Sequence, residues 1–172
     1  MNCSQNYVKF DRKAKGVENV GKTVITYGTF DMFHVGHLRL LQRQKALGER
    51  LIVAVSTDEF NAQKNKKTLI PFAQRMEIVA NIKCVDEVIA EESWDQKVSD
   101  IQKYGVDIFS MGDDWRGRFD YLQEYCEVVY LPRTENISTS QLKRSLNRFL
   151  SIPREDLLHA FEILEALKKD LE

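Results

Sequence analysis

His34 and His37 stand three residues apart, with Gly36 between them, in the segment Gly28-Thr29-Phe30-Asp31-Met32-Phe33-His34-Val35-Gly36-His37. An imidazole can donate a hydrogen bond, accept one or ligate a metal, so the pair admits three chemistries. A zinc site needs further ligands, and Cys3, Cys84 and Cys126 are scattered along the chain. In a structural role the rings would satisfy nearby backbone groups. The third role is binding nucleotide phosphate. An apolar run, residues 23–27, precedes the segment, and a helical pattern, 36–47, follows it. The pair thus falls where a strand hands over to a helix. Unpaired N–H groups and the positive end of the helix dipole collect anions there. Gly36 would let a phosphate approach the backbone without meeting a Cβ.

Other polar blocks carry compatible chemistry. Lys64, Lys66 and Lys67 fall in a polar stretch before Pro71. Composition alone makes such a run a solvated face. Asp31 cannot bind phosphate and is expected to cap a turn. Asp113 and Asp114 are adjacent, so on an extended chain they point apart, which favours hydrogen bonding over shared metal ligation. Ser138 and Gln141 have the spacing of a capping box, making a second helix start at which Arg133, Thr139 and Ser140 could meet an anion.

These blocks need a frame that brings them together. Five short β-branched runs, 23–27, 51–56, 85–90, 107–111 and 127–131, alternate with helical patterns at 36–47, 72–82, 95–104, 119–125 and 139–150. The alternation predicts an α/β fold, a doubly wound five-stranded parallel sheet with helices on both faces. Ligands bind such sheets beyond the carboxyl ends of the strands. The polar blocks follow the first, second, fourth and fifth strands, so all land on one edge. Residues 1–21 read as a polar extension, 22–150 as the domain and 151–172 as a C-terminal helical extension. In the last of these, Pro153 fits a helix start, and Leu157, Phe161, Leu164, Leu167 and Leu171 form one apolar stripe. That stripe would pack on its own domain or on another subunit.

The 172 residues suffice for one domain that buries roughly 70% of its unfolded surface. A net charge of -1 argues against bulk nucleic-acid binding, which needs a basic footprint. No apolar run approaches membrane-spanning length, residues 1–21 lack the apolar core of a signal peptide, and the cysteines suggest no disulfide framework. A cytoplasmic protein with no membrane partner is expected.

The blocks also carry a family likeness, in order from about residue 22 to 148. They are Val24-Ile25-Thr26-Tyr27-Gly28-Thr29-Phe30-Asp31, His34-x-Gly36-His37, Ser56-Thr57-Asp58-Glu59-Phe60-Asn61, Lys64-x-Lys66-Lys67, Val85-Asp86-Glu87-Val88-Ile89, Met111-Gly112-Asp113-Asp114-Trp115 and Val128-Val129-Tyr130-Leu131-Pro132-Arg133-Thr134-Glu135. The chain resembles the HxGH cytidylyltransferases, most closely the glycerol 3-phosphate branch. The resemblance implies a Rossmann-like nucleotidyltransferase fold. It also implies transfer of CMP from CTP to glycerol 3-phosphate, giving a CDP-alcohol and pyrophosphate for teichoic-acid or capsule synthesis. The rival reading is a sibling with another phosphorylated alcohol, or with ATP. Catalysis would fall to His34, His37, Lys66, Arg75, Lys83 and Arg133. CTP would be held by Thr29, Phe30, His34, Val35, Gly36, His37, Lys66, Asp113, Arg133, Thr134, Ile137, Ser138, Thr139 and Ser140. Lys64, Trp94 and Lys97 would hold the acceptor. The resemblance implies no protein-held metal, with Mg²⁺ arriving on the CTP phosphates, and it implies a homodimer. The chain departs from the family pattern in two places: Lys83 replaces arginine and Asn136 replaces glycine.

Overall fold

The computed structural model describes residues 21–135 and 137–169. The expectations placed on residues 1–20, Asn136 and Leu171 lie outside the described residues. Five parallel strands, β1 (Thr23–Gly28), β2 (Arg50–Ser56), β3 (Glu87–Glu91), β4 (Ile108–Gly112) and β5 (Glu127–Leu131), form one sheet in the order β3-β2-β1-β4-β5. Along β1, Val24 packs on one face of the sheet, with Leu41, Leu51, Val53 and Val79, while Ile25 and Tyr27 pack on the other, with Ile52, Ile101, Phe109 and Phe119. Both faces are buried, which is why the strands read as continuous apolar runs.

The helices are α1 (Val35–Lys45), α2 (Asp58–Gln63), α3 (Phe72–Ala80), α4 (Gln96–Tyr104), α5 (Thr139–Leu150) and α6 (Arg154–Lys169). Two expectations change. Residues 119–125 form a 3₁₀ segment, Asp120–Glu124, and not an α-helix. The Phe119 N–H donates to the Tyr130 hydroxyl (3.1 Å), which donates to Asp120 (2.8 Å), so side-chain bonds fix the turn. The other change is α2, a helix where the polar sequence predicts none. Thr57 caps it by accepting from the Phe60 N–H (3.1 Å). Asn65, left-handed at φ 55°, ends it, and the Lys66 N–H reaches back to the Asn61 carbonyl (2.8 Å). Lys64 and Lys66 therefore flank a fixed turn.

β1 pairs with β2 over six positions, Thr23↔Arg50 to Gly28↔Val55, but with β4 only at Val24↔Ile108 and Ile25↔Phe109. β1 and β4 then part toward their carboxyl ends. Buried Gln44 of α1 fills the split, donating to the Thr26 hydroxyl (2.8 Å) and the Ser110 carbonyl (3.1 Å). The crevice opens at the point where strand order reverses, the place such sheets use for ligands. None of the described helices is long and apolar enough to cross a membrane.

Candidate active site

Beyond Gly28 the chain turns sharply, with Phe30 and Met32 in left-handed backbone (φ 52° and 49°). Asp31, between them, holds the turn. Its carboxylate accepts from the Leu69 N–H (3.1 Å), the Ile70 N–H (3.0 Å) and Lys143 Nζ (2.6 Å). Its carbonyl accepts from the Thr139 hydroxyl (3.0 Å). Asp31 therefore acts as a cap, though on the segment before α3 and not on Thr29 or a histidine, and it ties together the β1–α1 turn, that segment and α5. Burial opposes ionisation of Asp31, yet hydrogen bonds from Lys143, Ile70 and Leu69 outweigh it and hold the carboxyl below its ordinary range.

His34 is the N-cap of α1. Its Nδ1 accepts from the Gly36 N–H (3.0 Å), and its own backbone N–H donates to Nδ1 of His37 (3.4 Å). This is a capping box built from two imidazoles. A neutral imidazole that accepts at Nδ1 carries its proton at Nε2. Both rings therefore present an Nε2–H donor, and Nε2 of His34 is buried with no partner of its own. Burial, then the neighbouring His34, pushes the pKa of His37 down to about 4. Burial, then Arg133, lowers that of His34. At neutral pH both act as donors, not cations. The rings stack at 4.0 Å, and His37 is wedged between Phe30 and Phe33, each at 5.5 Å.

Gly36 serves a further purpose beside the expected one. A Cβ there would lie 2.8 Å from His34 Cε1 and 3.0 Å from Ile137 Cγ2. The missing side chain lets the His34 ring fold back onto the helix start. Gly36→Ala should push His34 off its cap. Stability should fall by about 0.5–2 kcal/mol, the worth of a cap. Turnover should fall by about tenfold or more as one donor is misplaced. Thermal melting and pyrophosphate release measure the two effects, and unchanged turnover would contradict this role for Gly36.

Two adjoining cavities open at this edge. The smaller, ≈ 200 Å³, is lined by His34, His37, Arg133, Thr134, Ser138 and Asp114. The larger, ≈ 330 Å³, is lined by Lys64, Lys66, Glu91, Trp94, Lys97 and Lys143. Thr29, Phe30, Trp115 and Thr139 border both. In the smaller lobe the starts of α1 and α5 converge with two neutral donors and an exposed guanidinium, 3.7 Å from Asp114. Such a set suits the oxygens of a polyphosphate. Ser138 caps α5 by accepting from the Gln141 N–H (3.2 Å), but the predicted box is only half formed, because the Gln141 side chain accepts from the Ser138 hydroxyl (3.3 Å) and not from its backbone N–H.

Comparison with known proteins decides the family. Residues 25–145 match the model of the Cytidylyltransferase-like family. The chain belongs to that family. It is 58% identical over 125 residues to glycerol-3-phosphate cytidylyltransferase of Bacillus spizizenii, covering 73% of this chain and 97% of that protein. It is 52% identical over 125 residues to glycerol-3-phosphate cytidylyltransferase of Staphylococcus aureus, covering 73% and 95%. The crystal structure of a lipopolysaccharide core biosynthesis protein from Thermoplasma volcanium aligns with a TM-score of 0.57 at 22% identity, over 66% of this chain and 98% of that one, and shows the shared fold.

Within this cytidylyltransferase-like site the expected residues divide. Thr29, Phe30, His34, Gly36, His37, Arg133, Thr134, Ile137, Ser138, Thr139 and Ser140 line the smaller lobe. Lys64, Lys66, Trp94 and Lys97 line the larger. Four residues are placed elsewhere. Val35, the first residue of α1, is exposed and lines neither lobe. Asp113 lines neither; Asp114, its neighbour on the 3₁₀ turn Asp113–Trp115, takes that place beside Arg133. Lys83 is exposed in the α3–β3 connection, where Asp86 bonds to Leu51 near the start of β2. That is the amino edge of the sheet, opposite the site. Arg75 is wholly buried. It donates to the carbonyls of Ile70 (2.9 Å), Thr29 (2.6 Å) and Ser56 (2.8 Å) and to Asp58 (2.6 Å). It braces the site and does not face it.

Sequence reading missed three contributors. Asn61, buried on α2, accepts from the Thr29 hydroxyl (2.9 Å). Arg43 of α1 pins the strand leading to α5 through the Pro132 carbonyl (2.7 Å). Glu91, the last residue of β3, lies beneath the larger lobe. The polar residues at strand ends signalled Glu91; nothing in the pattern marked Arg43. Both Nδ1 atoms of His34 and His37 are occupied, and among the described residues no group of three or more His, Cys, Asp or Glu could hold an ion.

Proposed function

We propose that this protein transfers CMP from CTP to glycerol 3-phosphate, releasing pyrophosphate and CDP-glycerol. The observation that carries the reading is the pair of lobes meeting at Thr29 and Phe30. One is built from neutral donors, helix starts and Arg133, the other from lysines and aromatic rings. The 58% identity to a glycerol-3-phosphate cytidylyltransferase supports it. CTP places its triphosphate against the α1 start, the two Nε2–H groups and Arg133. The acceptor phosphate enters beside Lys64, Lys97 and Trp94. One of its oxygens attacks the α-phosphorus in line, and pyrophosphate leaves as the donors take up its growing charge. Lys66, 5.5 Å from the Trp115 ring that borders both lobes, serves the triphosphate side. Mg²⁺ would arrive bound to the CTP phosphates and would offset their charge. Asp114 is the carboxylate facing the nucleotide lobe, and its pairing with Arg133 suits that arrangement better than a protein-held ion.

The test is pyrophosphate release with Mg²⁺ across a panel of nucleotides and phospho-alcohols. CTP with glycerol 3-phosphate should be turned over far faster than ATP. Equal use of ATP, or no turnover with any pair, would overturn the reading.

CDP-glycerol would feed a cell-wall teichoic-acid or capsule polymer, and the cytoplasm is where CTP is at hand. We further propose a homodimer. Leu157, Phe161, Leu164 and Leu167 on α6 are 40%, 65%, 62% and 55% exposed, so their own domain does not cover them. Each such side chain contributes roughly 1.5–3 kcal/mol when buried. Removing residues 153–172 should weaken the dimer and leave CTP preference intact. Light scattering with an unchanged mass would contradict a role for α6 in association.

A further inference from the structure

Glu91 closes β3 and is 3% exposed beneath the larger lobe. Its Oε1 accepts from Lys97 Nζ at 2.9 Å. Its Oε2 accepts from the Ser56 hydroxyl and, more loosely, from Lys64 Nζ at 3.4 Å. Lys64 Nζ also reaches Ser56 Oγ at 2.9 Å. Lys97 is 1% exposed and the Lys64 side chain 8%. Both ammonium groups flank Trp94, at 4.9 Å and 5.4 Å from its ring centroid. Lys97 also lies 4.5 Å from the Tyr27 centroid, and Lys64 3.9 Å from that of Phe60.

One carboxylate would be complete with one lysine. Two buried ammonium groups on one carboxylate leave the trio with an excess positive charge, which is costly unless an anion joins it. The trio lines a cavity, so the anion can come from outside. The two lysines are not equivalent. Lys97 sits at full hydrogen-bond distance on α4, whereas Lys64 has the longer contact and ends α2 at the left-handed Asn65 turn.

We propose that Glu91 is a positioning residue of the acceptor subsite, holding Lys97 rigidly and Lys64 loosely so that an incoming phosphomonoester dianion draws Lys64 from the carboxylate. This rests on the glycerol 3-phosphate reading above. Glu91 touches no substrate; it acts through the two lysines. The subsite therefore recognises a phosphate monoester and discriminates against the unphosphorylated alcohol, which cannot balance the charge.

The experiment is steady-state kinetics on the full chain, with CTP and glycerol 3-phosphate varied separately, alongside thermal melts. The variants are Glu91→Gln, Glu91→Asp, Lys97→Met and Glu91→Gln/Lys97→Met. Glu91→Gln should raise KM for glycerol 3-phosphate about tenfold or more while KM for CTP stays within about twofold. Glu91→Asp keeps the charge but is too short to hold both lysines, and should show the same split if the glutamine variant does not fold. Added to Lys97→Met, Glu91→Gln should cost much less than it does alone, because it acts through the lysines. An unchanged acceptor KM in a folded variant would overturn the proposal. So would a rise in both KM values together with a lower melting temperature, the mark of a purely structural ion pair. Wild-type turnover in the same assay reports on the functional reading separately. If the wild type does not use glycerol 3-phosphate, both fall.

Discussion

His37→Ala is expected to lower kcat by about 10²–10³-fold, or roughly 2.7–4 kcal/mol of barrier, the cost of removing one preorganised donor. The donor is the Nε2–H, fixed in that tautomer because Nδ1 accepts from the His34 backbone. His37→Gln, which can still donate, should recover part of the loss. A variant with near-wild-type turnover but earlier melting would show the ring to be a spacer between Phe30 and Phe33. The same residue predicts a pH effect on stability. Its pKa in the folded state, about 4, lies below its ordinary 6.5, so as pH falls below 6.5 the unfolded chain takes up a proton that the folded chain refuses. His37 therefore makes stability decline between about pH 6.5 and 4, and no further below that. His37→Ala should flatten this part of the melting profile.

Arg75→Met should damage the fold more than any other single change considered. It strands the carbonyls of Ile70 and Thr29, at about 1–3 kcal/mol for each group left unpaired, and leaves that of Ser56 with Asn61 Nδ2 alone (3.3 Å). A chain of this size loses about 2–4 °C of Tm per kcal/mol, so a drop of roughly 10 °C is expected. Turnover should fall as well, because Thr29 and the α2 turn that carries Lys64 lose their common brace. Wild-type melting with abolished turnover would instead restore the direct phosphate contact implied by resemblance.

Much of this molecule was legible before any coordinates. The apolar runs fall on all five strands, and the rule that ligands gather at carboxyl ends brought the polar blocks to one edge. The same rule, applied to Lys83, would have sent it to the opposite edge, since a residue between a helix and the next strand belongs there. What sequence could not supply was direction within a turn. Asp113 and Asp114 are equivalent as letters, and the 3₁₀ turn decides which faces Arg133. Arg75 is a cation on a short helix, and only its three carbonyl partners reveal it as a brace. The start of α2 did carry a signal, Thr57 followed by Asp58 and Glu59, but at six residues it was too short to show a periodicity. The histidine capping box was hidden because imidazole is an uncommon cap, and its geometry depends on Gly36 having no side chain.

The proposed transfer at the α-phosphorus between the two lobes is direct, with no covalent intermediate. The most direct measurement uses CTP made chiral at that phosphorus with sulfur, with glycerol 3-phosphate as acceptor and the product configuration read by phosphorus NMR. A single in-line displacement predicts CDP-glycerol with inverted configuration. Retention of configuration, or CMP transfer to water in place of glycerol 3-phosphate, would contradict the account.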